Sequence, residues 1–151
     1  MVRYGFEYIG AAILVEKHES ERRPHNVIAP MPAYFLAAHG IELTFKAYLR
    51  FRGVSARDLT LKIGHDLHRC NEEAKRLGLD EHFKEHGQDT AALELLMTLN
   101  GPSHSLRYFQ SGMKTFPLWS LVEPLAVRLH QAVAPLVGYH TFEGITYSAY
   151  Q

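Results

Sequence analysis

The sequence predicts an all-helical bundle of five or six helices in one domain covering residues 1–151, and three observations lead there. Apolar residues recur at three- and four-residue intervals in most segments, proline and glycine punctuate those segments, and no sustained alternation of strand type interrupts them before the last dozen residues. A composition of 46% hydrophobic and 21% charged residues over 151 positions supplies a core without disulfides or metal.

Taken in order, the first helix spans roughly Tyr4 to Glu19, with Phe6, Ile9 and Ile13 on its apolar side and a charged run, Glu16 to Arg23, at its end. Pro24, Pro30 and Pro32 bracket a linker, and Pro32 suits the opening of a second helix, where a missing amide hydrogen costs no intrahelical bond. Gly53 ends that helix at Phe51 or Arg52. After a short basic loop, Asp66 is placed to cap a third helix carrying Leu67, Cys70, Ala74 and Leu77, stopped by Gly78. A short amphipathic piece is expected around Glu81 to Glu85. Thr90 to Leu99 reads as a further helix, ended by Asn100-Gly101-Pro102. The last helix begins near Pro117 or Ser120, where Ser120 and Glu123 have capping-box spacing, and carries Leu121, Leu125, Leu129, Ala132 and Leu136. Tyr139 to Gln151 is aromatic and is expected to run extended, either across the bundle or against a second chain.

The second helix is the most informative. At about 100° per residue, His39, Glu42, Lys46 and Arg50, with Phe35, fall in a sector roughly 80° wide, while Ile41, Leu43, Phe45, Ala47, Tyr48, Leu49 and Phe51 occupy most of the rest. A surface helix needs one apolar face, so a helix apolar on so many sides is the central element, and its polar stripe lines a groove or an interface.

Charge narrows the function classes. Sixteen Lys plus Arg balance sixteen Asp plus Glu, without the excess expected of a nonspecific nucleic-acid binder. From Lys46 to Arg76, however, eight basic residues face four acidic ones, which is either a modest anion-attracting surface or a solvated face. The single Cys70 forms no internal bridge and no long apolar segment opens the chain, so the expected compartment is the cytoplasm, with no membrane span. Walker-type phosphate loops and nucleophile elbows are absent, and no cofactor is implied. His65 with His68, and His82 with His86, have spacings that suit two ligands of a metal, but nothing completes either pair, so no metal site is assigned.

The run Ala38-His39-Gly40-Ile41-Glu42-Leu43-Thr44-Phe45-Lys46-Ala47-Tyr48-Leu49, a glycine-bounded loop and then Gly64-His65-Asp66-Leu67 resembles the HEPN superfamily of helical domains over about His39 to Leu79, with Arg107-Tyr108 as a further point. That resemblance implies an antiparallel up-and-down bundle, a homodimer, and a role in RNA cleavage, toxin–antitoxin systems, defence or nucleotide signalling. Nuclease members carry an Arg followed by a polar residue, with a His four to six residues beyond the Arg. Here Arg76 and His82 alone have such spacing, with Leu77 at the polar position and Gly78 breaking the helix between them. The expected role is therefore a dimeric interaction module, or a module binding nucleotide, RNA or a cognate partner protein. The alternative is a metal-independent endoribonuclease built from His39, Glu42, His65 and Arg107.

Each candidate residue has two readings. His39, Glu42 and Lys46 form either a proton-handling trio or an ion-paired group that satisfies a central helix. His65 and Asp66 add an acid–base pair, or Asp66 caps while His65 fixes the loop. Arg107 offers its guanidinium to a phosphate or to Glu42.

Overall fold

A computed structural model of the chain describes residues 1–25, 28–100 and 114–147. It is all-helical among those residues, in the order α1 (Val2–Arg22), α2 (Met31–Phe51), α3 (Ala56–Asp58) continued by a π-helical turn (Leu59–Ile63), α4 (Leu67–Arg76), a 3-10 turn (Leu79–Glu81), α5 (Asp89–Leu99), α6 (Trp119–Val133) and a final 3-10 turn (Ala134–Val137).

The centre is α2, packed against α1, α4, α5 and α6. Thirteen of its 21 residues are buried, including Glu42, Thr44 and Lys46, as an all-round apolar helix requires. Leu43 is half-buried, and at the two helix ends Met31 and Phe51 are exposed. Two tyrosines fix the ends of α2. Tyr34 donates its hydroxyl to the Pro117 carbonyl (2.7 Å) between Phe116 and Trp119, and Tyr48 donates to the Leu77 carbonyl (2.9 Å) at the end of α4.

Small residues set the approach of α1 to α2. Gly5 lies against Thr44 and Gly40, and Ile9 against Gly40, so the contacts run in opposite order and the two helices are antiparallel. A Cβ on Gly40 would stand 2.6 Å from Ile9 Cγ1 and 3.1 Å from the Gly5 carbonyl oxygen.

Three expectations change. The basic loop after α2 contains helical turns: Ser55 caps α3 by accepting from the Asp58 amide (3.0 Å), and Leu59 and Ile63 bury their side chains. Gly64, at φ +60, closes the π turn by donating to the Leu59 carbonyl (2.8 Å). The amphipathic piece at Glu81 to Glu85 is reduced to the turn Leu79–Glu81, because Phe83 turns inward and Arg128 takes the Lys84 carbonyl (2.7 Å). The capping box of Ser120 and Glu123 does not form. The cap is Leu118, and Glu123 instead accepts from Trp119 Nε1 (3.0 Å) and the Tyr147 hydroxyl (2.8 Å).

The aromatic tail, as far as Tyr147, lies on its own chain. Gln131 donates to the Phe142 and Ile145 carbonyls (2.9 and 2.8 Å), and buried His130 joins Thr141 (2.7 Å) to the Val2 carbonyl (3.0 Å). Burial holds His130 below its usual 6.5, opposed by the Val2 hydrogen bond and aided by nearby His140.

Two outcomes follow for stability. Gly40→Ala should cost about 1–3 kcal/mol in denaturant unfolding by forcing α1 away from α2, whereas Gly10→Ala, with nothing within 4 Å of the new Cβ, should gain about 0.5–1 kcal/mol. A base whose folded pKa is depressed contributes stability that is present above its unfolded pKa and lost below it. Melting temperature should therefore begin to fall as pH drops below about 6.5, and His130→Gln should remove that limb of the profile.

Candidate functional site

The site is built where α4 returns over the middle of α2. Gly64 reverses the chain and Asp66 starts α4, its Oδ1 accepting from the Arg69 amide (3.1 Å). His65, between them, is delivered to Glu42. The His65 Nδ1 stands 3.0 Å from Glu42 Oε1, and Lys46 Nζ reaches the same oxygen at 2.7 Å from one turn along α2.

Burial is uneven across this group. Glu42 is fully enclosed, the Lys46 side chain is 11% exposed, and that of His65 is 57% exposed. A closed interior end therefore meets an open outer end. His39 lies on the other side of the carboxylate, its Nδ1 3.8 Å from Glu42 Oε2, beyond hydrogen-bond reach. Both of those atoms, and Oδ1 of buried Asn71, lack a hydrogen-bond partner among the described residues. The His39 ring is fixed by Tyr8, edge-on at 4.5 Å, and by Phe35, parallel at 6.2 Å.

Burial alone pushes the Glu42 carboxyl upward, but His39, Lys46 and His65 around it more than reverse this and hold it at about 2. Since His39 is too distant for a direct bond, Lys46 and His65 make the short contacts. The carboxylate is thus ionised throughout the physiological range and acts as a fixed negative charge. Cys70 is buried close by, its thiol pushed up to about 12 chiefly by burial, and is no nucleophile at neutral pH.

Of the residues singled out from the sequence, His39, Glu42, Lys46 and His65 converge. Asp66 caps α4 and pairs with Arg69 (3.4 Å). Arg50, expected in the stripe, is exposed and donates to the Val54 carbonyl (2.8 Å), because the stripe runs past the end of α4's cover. Arg107, with Tyr108, lies outside the described residues. Arg76 is bound to Glu73 (2.8 Å) and His82 packs on Tyr48, so the nuclease-like spacing assembles nothing. Tyr8, which holds the His39 ring, escaped the sequence reading. Nothing local in the sequence marks Tyr8.

Beside α4 a cleft of about 470 Å³ is floored by Val54 and Ile63 and rimmed by charged groups. Its rim is balanced, Lys62 pairing with Asp58 (2.9 Å) and Arg76 with Glu73. Among the described residues no three His, Cys, Asp or Glu side chains converge in a metal-binding arrangement, and none of the helices is long and apolar enough to cross a membrane. No protein-family model, curated protein or solved structure matches this chain.

Glu42→Gln leaves Lys46 buried without its counter-charge and should cost about 3 kcal/mol near neutral pH. The depressed carboxyl contributes stability that is present above its unfolded pKa near 4.5 and lost as pH falls toward 2. Urea unfolding from pH 7 to pH 2.5 should show that decline in the parent protein and a flatter profile below pH 4.5 in Glu42→Gln.

Proposed function

We propose that this chain is a HEPN-like domain that works as a homodimeric nucleotide- or RNA-binding module, in a toxin–antitoxin or defence setting, and that its polar site recognises a ligand without transforming it. The observation that carries the reading is the state of Glu42. A general base works best with a pKa near the operating pH, and a carboxyl held at about 2 does not take up a proton at neutral pH. Its chemistry is that of an anchor, orienting His65 and neutralising Lys46. His65, with its side chain 57% exposed, is the group left to meet a ligand. Within the basic stretch from Lys46 to Arg76, Lys46 and Lys75 are paired to Glu42 and Glu85, so attraction for phosphates is left to Arg50, Arg52 and Arg57.

A second reading is favoured by one specific contact. An imidazole bonded to a buried carboxylate is also the arrangement by which histidines are oriented for proton transfer, and it keeps open a metal-independent endoribonuclease using His39, Glu42, His65 and Arg107.

Pure protein incubated with labelled RNAs in chelator separates the two. The binding reading expects an anisotropy rise that weakens with salt, no cleavage, and a light-scattering mass twice the 17.2 kDa of the chain. Cleavage that disappears in His65→Ala while the circular dichroism spectrum is retained defeats it in favour of the nuclease.

A further inference from the structure

The fold separates the two histidines at the start of α4. His65 turns to Glu42, whereas His68 turns to α5, where its Nδ1 stands 3.3 Å from the Met97 sulfur. The other ring nitrogen, Nε2, faces Glu72 Oε1 at 3.2 Å, one turn along α4. The imidazole of His68 is thus set between two acceptors, a carboxylate and a thioether. One ring proton serves only one of them, and the carboxylate, as the stronger acceptor, favours that proton on Nε2. Nδ1 then presents its lone pair to a sulfur that also has only lone pairs to offer. A second ring proton or a bound cation resolves that contact. Sulfur favours the cation, because a thioether is a weak hydrogen-bond acceptor but a good ligand for soft ions, Cu(I) above all.

We propose that His68 Nδ1 and Met97 Sδ together bind Cu(I), with Glu72 as the positioning residue that keeps the ring proton on Nε2. A metal-bound histidine ordinarily gives its other N–H to a carboxylate, which is the relation of His68 to Glu72. Bonds of about 2.0 Å to nitrogen and about 2.3 Å to sulfur span the 3.3 Å between the two atoms at an angle of about 100°. That angle leaves room for a third ligand, and the His68 side chain is 62% exposed, so an ion and an exogenous ligand both reach it from solvent. Met97 is partly buried against the core, which holds the sulfur in place. Zn(II) prefers thiolate, imidazole and carboxylate and gains little from a thioether. Cys70, two residues from His68, is buried with its thiol pushed up to about 12, and so does not compete for the ion.

The test titrates the purified protein, kept anaerobic, with Cu(I) against a colorimetric Cu(I) chelator. One Cu(I) per chain should be taken up, and this uptake should disappear in His68→Ala and in Met97→Leu while persisting in Cys70→Ala. Met97→Leu preserves the volume and packing of the site, and a retained circular dichroism spectrum confirms that the loss is one of ligand and not of fold. Glu72→Ala should weaken binding about tenfold, and Glu72→Gln, which keeps an oxygen acceptor, should restore most of it. In the methyl spectrum the Met97 resonance should shift with one equivalent of Cu(I) and stay in place with Zn(II). Failure of the parent protein to take up Cu(I), uptake unchanged in Met97→Leu, or uptake lost in folded Cys70→Ala overturns the inference.

Discussion

The buried ion pair of Glu42 and Lys46 governs much of the rest of the structure. Removing two charges from water costs several kcal/mol for each, and their attraction offsets this only when the geometry is close and the remaining lone pairs are filled. At 2.7 Å the pair is close, and His65 fills a second position on Oε1. Among the described residues Oε2 has no hydrogen-bond partner, and it lies 3.8 Å from His39. Well-packed apolar residues would have stabilised the bundle at least as well.

Holding that pair imposes conditions on the neighbouring elements. The π turn, Gly64 and the Asp66 cap together bring α4 back along α2 with His65 at its leading end. Tyr48, by taking the Leu77 carbonyl, fixes the other end of α4. On the opposite flank Gly5 and Gly40 allow α1 to approach closely enough for Tyr8 to hold the His39 ring. The site is thus enclosed by two helices distant in sequence from one another, each positioned by a different device.

A second buried ion pair shows the contrast. Arg128 reaches Asp89 at 2.6 Å and the Lys84 carbonyl at 2.7 Å, while Asp89 also accepts from the His86 amide. The guanidinium lies over Phe83, 5.2 Å from the ring centre. That arrangement fastens the irregular segment before α5 onto α6. It reads as structural, whereas the Glu42 network ends at an imidazole half in solvent.

The sequence by itself determined the helical class, because three- and four-residue periodicity and glycine and proline stops are local properties. It placed α2 and α4 within a residue or two, since Pro32, Gly53, Asp66 and Gly78 act on the backbone next to them. It also marked Glu42 and Lys46 as neighbours, four apart on one helix face. Tertiary structure alone decided which stripe members matter. Arg50 lies on the same helix face as Glu42 and is separated from the site by where α4 ends, and Ser120 and Glu123 lost their capping box because Trp119 and Tyr147, the latter 24 residues from Glu123, compete for the same carboxylate. Long-range competition for one acceptor leaves no trace in local spacing. For the same reason the 3.0 Å contact between His65 and Glu42, 23 positions apart, became a geometric fact only once the turn between them folded.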